Sequence, residues 1–443
     1  MRVRAALFIT LILFNLIPSL SEGADLISYY NLAVKQDPKL QAARFKHDAV
    51  KETLRQAWAR FLPMVSAEAN VGQTAQDVIS SENQVYAREK TDFFSQRYSA
   101  QVVQPLFHLE HFHTLSQAEV TLNKGDMELL LEEQDLLARV TELYFGVLMA
   151  IDSLQSIQEE ETALEMHLMI AEEKHRKGLI ALTDLQDAEA RLDVVIAQKI
   201  EGERILNTSI QAFMEVTGAV SIDVNAMTPT APLKNPSPDN VDTWVKTGKI
   251  KNPPLMIKRL EAKEYNQEVK RQKAGHYPAV DLVSRWNWDD EGGSLYGGGS
   301  VVNSFEVMGR ITVPLYSGGM TESKVREVLA LEQKTLQEVV QLERQAVRQI
   351  HDFFLGVKSS IQKVGALAKS VKSQSLLLEA KTRGYDSGLY DSSTVLDVAK
   401  DLAVEKRNYS KARYDYVVNL IKLKQSAGTL TVDDLSAINT WLH

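Results

Sequence analysis

The stretch KGLIALTDLQDA at residues 177–188 returns 210 residues later as SGLYDSSTVLDV at residues 387–398. Both copies contain a Gly-Leu pair, Gly178-Leu179 and Gly388-Leu389, and both place an aspartate nine residues after the glycine. Glycine takes the positive φ of a tight turn without strain. Because apolar residues with helical spacing lie on both sides of each copy, the stretch predicts a turn between two antiparallel helices, formed twice in one chain.

The rest of the chain follows the same duplication. Apolar positions in 140–154 match apolar positions in 350–364 at the same displacement, and residues 104–107 (QPLF) match 313–316 (VPLY) at nearly the same one. Because the two halves repeat, we expect each to fold into the same order of helices and strands. The predicted organisation is a signal peptide at 1–21, a first repeat at 22–227, a Pro-rich linker at 228–239 and a second repeat at 240–443.

Each repeat combines two-faced strands with very long helices. In residues 65–71 and again in 305–313, mostly apolar residues alternate with mostly polar ones, as in a strand with two different faces. Proline is absent from 106–228 and 315–443, which allows helices of about seventy residues, roughly 105 Å long. The predicted fold class is mainly α with a small β part: duplicated long α-helical hairpins plus four strands. The predicted strands are 64–76, 93–104, 279–289 and 301–313, and the predicted hairpin tips are 176–184 and 385–394.

The composition excludes several classes of protein. The 443 residues include no cysteine, which excludes disulfides, thiolate metal sites and an acyl anchor on an N-terminal Cys. With 50 basic and 58 acidic residues, the chain lacks the positive charge that nucleic-acid binding requires. The sequence contains no nucleophile elbow, phosphate loop or HExxH motif. We therefore predict no enzymatic activity, no cofactor and no nucleic-acid partner.

The N-terminus has the pattern of a secretory signal peptide. Arg2 and Arg4 precede an apolar run at residues 5–17, and Pro18 and small residues follow. The run is too short to span a bilayer, and no apolar stretch of about eighteen residues occurs elsewhere. A buried N-terminal helix is the alternative. We predict export by a cleaved signal peptide, with no lipid anchor and no transmembrane helix.

The strand pattern favours a membrane barrel shared between chains. Four strands are too few to close such a barrel, for which about eight is the usual minimum. Three chains would supply about twelve strands, with apolar faces toward outer-membrane lipid and polar faces lining a lumen. The arithmetic therefore predicts a homotrimer. Strands of soluble antiparallel sheets also alternate apolar and polar residues. An exported coiled-coil scaffold or a periplasmic adaptor that never enters a membrane therefore remains the alternative.

The chain resembles the TolC-type outer-membrane factors of Gram-negative efflux pumps and type I secretion systems over essentially its whole mature length. The motifs that carry the resemblance are the segments Asp37-Pro38 to Pro63 and Asn252-Pro253 to Pro278, the joints 104–107 and 313–319, and the tips 177–188 and 387–398. The resemblance implies a trimeric channel, with a twelve-stranded β-barrel in the outer membrane and an α-helical tunnel in the periplasm. Its implied partners are a periplasmic adaptor (membrane fusion protein) and, through it, an inner-membrane pump.

The resemblance also assigns roles to residues of the two tips. Gly178, Leu179, Gly388 and Leu389 would dock the adaptor. Lys177 departs from the small or apolar residue common at that place in the family. The implied gate residues are Asp184, Tyr385, Thr394 and Asp397.

The implied gate has two parts. Asp184 and Tyr385 would link inner and outer helices, and Asp397 would form a three-fold ring of carboxylates, with Thr394 standing where a second acidic ring is expected. The residues also allow a purely structural interpretation. Thr183 and Gln186 could form a capping box, and acids in a first helical turn are favoured by the helix dipole.

The segment His108 to His113 has the only metal-like spacing in the chain, with His108, Glu110, His111 and His113. On a helix, His108 and His111 share a face and His113 does not, so a three-histidine site would need non-helical backbone. We therefore predict polar residues at the joint between strands and tunnel, and no metal site.

Overall fold

The computed structural model describes residues 25–77, 79–80, 90–294, 298–387 and 389–442. The predicted signal peptide and Gly388 lie outside the described residues. The elements are α1 (Leu26–Gln36), α2 (Pro38–Ala59), β1 (Met64–Asp77), β2 (Lys90–Phe107), α3 (Leu109–Arg176), α4 (Leu182–Thr217), α5 (Val241–Lys251), α6 (Pro253–Ala274), β3 (Ala279–Glu291), β4 (Ser300–Thr312), α7 (Met320–Asp386), α8 (Ser392–Ser426) and α9 (Val432–Asn439). The order of two helices, two strands and two helices occurs twice and confirms the predicted mainly α fold.

The four strands form one antiparallel sheet in the order β1-β2-β3-β4, so that β2 and β3 join the two repeats. The alternation in the sequence places Val65 opposite Val102 and Tyr98 opposite Trp288 on one face. On the other face, the Nε atom of Arg97 lies 2.5 Å from Oδ1 of Asp289. The sheet therefore has one apolar face and one polar, ion-paired face.

Strand β2 is longer than its predicted range of 93–104. It continues to Phe107 because its pairing with β3 shifts register between Pro105 and Phe107, which lets the strand continue past a proline that cannot donate a ladder hydrogen bond. The chain then enters α3 two residues later. In the part of the chain that the structure describes, no helix combines the length and the apolar character that a membrane span needs.

The helices that precede the strands begin at matching caps. The Oδ2 atom of Asp37 accepts a hydrogen bond from the Leu40 amide at 3.0 Å, and Oδ1 of Asn252 accepts one from the Leu255 amide at 3.0 Å. A proline occupies the first helical position after each cap, where its missing N–H costs nothing. The buried Asp37 also forms an ion pair with Arg139 at 2.7 Å. In the first repeat, this ion pair connects the N-cap of α2 to α3.

The main core lies about midway along α3 and α7. The first halves of these two helices are covered by α2 and α6, and their second halves pack against α4 and α8. Between the two halves, aromatic side chains from different helices meet, with the ring of Tyr29 4.9 Å from that of Phe213. Tyr144 is fully buried there, and its hydroxyl donates to the Asn225 carbonyl at 3.0 Å. This core fixes the long hairpins, whose tips extend beyond it.

Candidate functional site: the hairpin tips

The first tip is a tight glycine turn that exposes a leucine. Gly178 has a φ of 73°, and its amide donates to the His175 carbonyl at 2.8 Å. The Leu179 amide donates to the Lys174 carbonyl at 2.9 Å, which completes the Schellman geometry. The side chain of Leu179 is left 68% exposed. Lys177 turns back along α3 and pairs with Glu173 at 2.9 Å, so it leaves the leucine uncovered.

The second tip also exposes a leucine after a backbone-bonded turn, but different side chains hold that turn in place. The Leu389 amide donates to the Gly384 carbonyl at 2.8 Å, and Leu389 is 73% exposed. The ring of Tyr390 lies on Gly384, where any Cβ atom would clash with it. The ammonium of Lys381 sits 3.7 Å from the centre of that ring. The two tips are therefore alike in their exposed leucines and unlike in what holds them.

Asp184 and Tyr385 have different partners within one chain. The helix α4 begins at Leu182 with Ala181 as its N-cap, and Oδ2 of Asp184 accepts a hydrogen bond from the Ala181 amide at 3.3 Å. The expected capping box of Thr183 and Gln186 is wrong because the N-cap is Ala181, two residues before Thr183. Alanine offers no side-chain acceptor, so the carboxylate of Asp184 supplies the only side-chain bond of this cap among the described residues.

Tyr385 is held by a cation that the sequence analysis did not single out. The ammonium of Lys174 donates to the Tyr385 hydroxyl at 3.3 Å and lies 5.2 Å from the ring centre. Lys174 is on α3 and Tyr385 is on α7, so this contact connects the two hairpins close to both tips.

Asp397 also contacts the other hairpin. The guanidinium of Arg191 places Nη1 2.8 Å from Oδ1 of Asp397 and Nε 2.8 Å from Oδ2 of Asp187. Asp397 and then Asp187 raise the pKa of Arg191 above its ordinary value. Thr394 is engaged within its own helix, where Oδ1 of Asp391 accepts hydrogen bonds from its amide and its hydroxyl. Of the four predicted gate residues, Tyr385 and Asp397 thus contact the opposite hairpin. Asp184 accepts from the N-cap amide of α4, and Thr394 donates to Asp391, the N-cap of α8.

A third contact between the hairpins involves a half-buried histidine. The Nδ1 atom of His167 lies 2.9 Å from the Ser392 hydroxyl, which joins α3 to the first turn of α8. Burial, followed by the nearby charges of Arg191 and Lys174, lowers the pKa of His167 below its ordinary value. We call the three contacts Lys174–Tyr385, His167–Ser392 and Arg191–Asp397 the tip links.

The histidine segment lies at the joint between the sheet and α3. The Nε2 atom of His108 lies 2.8 Å from Oδ1 of Asp281, and its ring stacks on that of His111 at 4.5 Å. His111 also meets Phe61 edge-on, and its burial lowers its pKa. Within the described residues, no three acidic or histidine side chains are placed to hold a metal ion. The joint is a polar seam between β3 and α3.

The comparisons with known proteins cover nearly the whole chain. The family model described as outer membrane efflux protein matches residues 29–219 and 244–429. The chain is 26% identical to "Outer membrane protein TolC" of Vibrio cholerae over 420 residues, 94% of each chain. It is 24% identical to "Alkaline protease secretion protein AprF" of Pseudomonas aeruginosa over 417 residues, 93% of this chain and 86% of that one.

A solved structure gives the same result for the fold. The Campylobacter jejuni CmeC outer membrane channel superposes with a TM-score of 0.81 at 13% identity, covering 95% of this chain and 90% of that one. The family match spans both halves, and each half contains one of the two hairpins described above. The chain belongs to the outer membrane efflux protein family.

Proposed function

We propose that three copies of this chain assemble into one outer-membrane channel for efflux or type I secretion. The observation that carries the proposal is the sheet, which has one apolar face, one polar face and two outer strands, each paired on one side within the described chain. A membrane sheet must satisfy every backbone group, so β4 of one copy would pair with β1 of the next. Three copies would in this way form a closed barrel of about twelve strands.

The tips supply the surface for the periplasmic partner. Leu179 and Leu389 are exposed apolar side chains at the far ends of the two hairpins, beyond the main core. A periplasmic adaptor that buries both would gain roughly 1.5–3 kcal/mol for each leucine. Gly178 sets the first turn, and Gly388 is assigned to the docking surface from the sequence alone. The adaptor would connect the channel to an inner-membrane pump.

The tip links supply the gate. All three join the α3–α4 hairpin to the α7–α8 hairpin of one chain, so an outward movement of one hairpin must break them. Each link is partly exposed and therefore weak, about 0–1 kcal/mol. A gate made of several weak links stays closed at rest and opens when adaptor binding provides a few kcal/mol. Once Arg191 is released in each chain, the three copies of Asp397 would present their carboxylates to the lumen.

The first test is the mass and the conductance of the intact protein. We expect protein extracted from outer membranes in detergent to have three times the mass of the mature chain, and to give small currents in a planar bilayer. A water-soluble species without conductance would contradict the channel and support an exported scaffold instead.

A further inference from the structure

The two edge strands of the sheet, β1 and β4, each carry a charged residue that has no charged partner within the described chain. Glu68 is the only charged residue of β1 on the polar face of the sheet, and it accepts a hydrogen bond from the Asn70 side chain at 2.9 Å. Arg310 is the only basic residue of β4 and lies on the same face. It is exposed, and it forms no hydrogen bond or ion pair with another described residue.

Opposite charges close to these two residues within the chain are already engaged. Asp281 lies directly opposite Arg310 in the pairing of β3 with β4, but its Oδ1 atom is 2.8 Å from Nε2 of His108. Arg97 lies one diagonal step from Glu68, and its guanidinium forms ion pairs with two acids of β3. Glu68 and Arg310 are therefore available to a residue of another copy.

The register in which β4 would meet β1 of the next copy follows from barrel geometry, and in this step the inference rests on the proposed trimer. Twelve strands about 4.8 Å apart, with a rise of about 3.3 Å per residue and a tilt of about 35–45°, close with a total shear of roughly 12–18 residues. Three-fold symmetry gives each chain one third of this shear. The shift must also be even, because residues that lie opposite each other share a face. Each chain therefore contributes a shift of about four or six residues.

The strand pairing within one chain assigns this shift to particular residues. The paired rows lead from Met64 of β1 across β2 and β3 to Met308 of β4. A shift of about four residues along β1 places Met308 beside Glu68 of the next copy, and a shift of about six places it beside Asn70. A shift in the opposite direction would bring the end of α2 beside β4, where no strand exists to pair with it.

Both shifts bring the two charges together. With a shift of about six residues Glu68 lies directly opposite Arg310, and with about four the two are one diagonal step apart, within reach of long side chains. A shift of about two residues would instead place Glu68 opposite Glu306, where like charges destabilise the pairing. We propose that an ion pair between Arg310 of one copy and Glu68 of the next crosses each junction of the barrel and selects the register in which the copies join.

The register also determines the width of the lumen. A twelve-stranded barrel has a backbone radius of roughly 11 Å at a total shear of about 12 residues and roughly 13 Å at about 18. The smaller shift, in which Glu68 would meet Glu306, would narrow the barrel to roughly 10 Å. The ion pair therefore favours the wider barrels.

Disulfides can report the register, because the chain contains no cysteine of its own. In outer membranes under mild oxidation, we expect Asn70→Cys/Met308→Cys or Asn70→Cys/Glu306→Cys to give a covalent trimer, the first at the larger shift and the second at the smaller one. Asn70→Cys/Ser304→Cys is the matched control, whose cysteines meet only at the excluded shift, and it should give much less. Preferential cross-linking of the control, or a conducting trimer without any cross-linked product, would overturn the proposal.

A charge swap tests the ion pair itself. Glu68→Arg and Arg310→Glu each place like charges at the junction, so the temperature at which the trimer dissociates in detergent should fall by a few degrees. Glu68→Arg/Arg310→Glu restores opposite charges and should recover most of the loss. Glu68→Arg/Arg285→Glu is the matched control and should show no recovery, because Arg285 lies on β3 and binds Gln101 within its own chain.

The outcomes separate this inference from the channel on which it rests. A conducting trimer in which the swapped variant dissociates as readily as the single variants would overturn the ion pair and leave the channel in place. An unaltered protein that forms no trimer and no current would overturn both, since no junction between copies would then exist.

Discussion

Arg191 of α4 and Asp397 of α8 belong to different repeats, yet Nη1 of the arginine lies 2.8 Å from Oδ1 of the aspartate. The same guanidinium binds Asp187 one turn earlier on its own helix. Arg191 is thus shared between an acid that moves with it and an acid on the opposite hairpin. Only the second contact has to break when the hairpins separate.

Substitutions at this pair should open the channel and change its selectivity in opposite directions. Arg191→Gln breaks the link and leaves three uncompensated Asp397 carboxylates, so we expect a several-fold larger current and a stronger preference for cations. Asp397→Asn breaks the same link and removes the charge, so the current should rise while the cation preference falls. Single-channel recordings in asymmetric KCl measure both quantities.

The control for this pair is Asp187→Asn. It removes the other partner of Arg191 and leaves the contact between the hairpins in place, so the current should stay within twofold of the unaltered channel. A current as large as that of Arg191→Gln would contradict the assignment of the gate to the Arg191–Asp397 contact. All these side chains are more than a third exposed, so changes in unfolding free energy should stay below about 1 kcal/mol.

A second prediction separates the two contributions of Lys174. Tyr385→Phe removes the hydroxyl that accepts from Lys174 and keeps the ring over which the ammonium lies. Lys174→Met removes both interactions while keeping the aliphatic stem. We therefore expect the current to increase less in Tyr385→Phe than in Lys174→Met, and equal increases would show that the ring contributes nothing.

The predicted link between Asp184 and Tyr385 can be tested in the same recordings. Within one chain Asp184 caps α4, so we expect a contact with Tyr385 to form between neighbouring copies of the proposed trimer. A double-mutant cycle of Asp184→Asn and Tyr385→Phe should give a coupling free energy above about 0.5 kcal/mol if that contact forms. Additive effects would remove Asp184 from the gate.

The third prediction concerns pH. The pKa of His167 is lowered in the linked state by burial and by the charges of Arg191 and Lys174, while Asp187 opposes the shift. Above the ordinary histidine pKa of about 6.5, His167 is neutral in linked and separated hairpins alike, and pH has no effect on the link. As the pH falls below that value, protonation favours the separated hairpins, so the current should rise between pH 7 and pH 5.

His167→Gln tests the pH response without removing the contact. Glutamine can still hydrogen-bond to the Ser392 hydroxyl and does not titrate, so the current of this variant should vary much less between pH 7 and pH 5. His276→Gln, at an exposed position two residues after the end of α6, is the matched control and should keep the full response. Exposed aspartates titrate near pH 4, outside this window. A response unchanged in His167→Gln would assign it to another group.

The features that the sequence predicted correctly are those that depend on residues close together in the chain. Asp37 before Pro38 marks a helix start, and Gly178 marks a turn, because caps and positive φ values are decided within a few residues. The alternation in 65–71 likewise shows which face of β1 is apolar. The duplication then transfers each assignment to the second repeat.

The tip links could not be predicted in this way. His167 and Ser392 are 225 residues apart, and Arg191 and Asp397 are 206 apart. Their contacts depend on how α3 and α4 pack against α7 and α8, which no local pattern specifies. The one signal available was Arg191 four residues after Asp187, which predicts an ion pair within α4 and not the bridge to the second repeat.

The last prediction concerns the exposed leucines of the tips. Leu179→Ser and Leu389→Ser remove apolar surface that is 68% and 73% exposed, so neither should change the yield of trimer or its conductance. Each should reduce the amount of adaptor that co-purifies with the channel after cross-linking in cells, and the double variant should reduce it further. Val220→Ser is the matched control, because Val220 is 93% exposed and lies after the far end of α4. Gly178→Ala should also weaken co-purification, since alanine at a φ of 73° costs about 1 kcal/mol and distorts the turn that presents Leu179. Undiminished co-purification in the double leucine variant would show that the adaptor engages another surface of the hairpins.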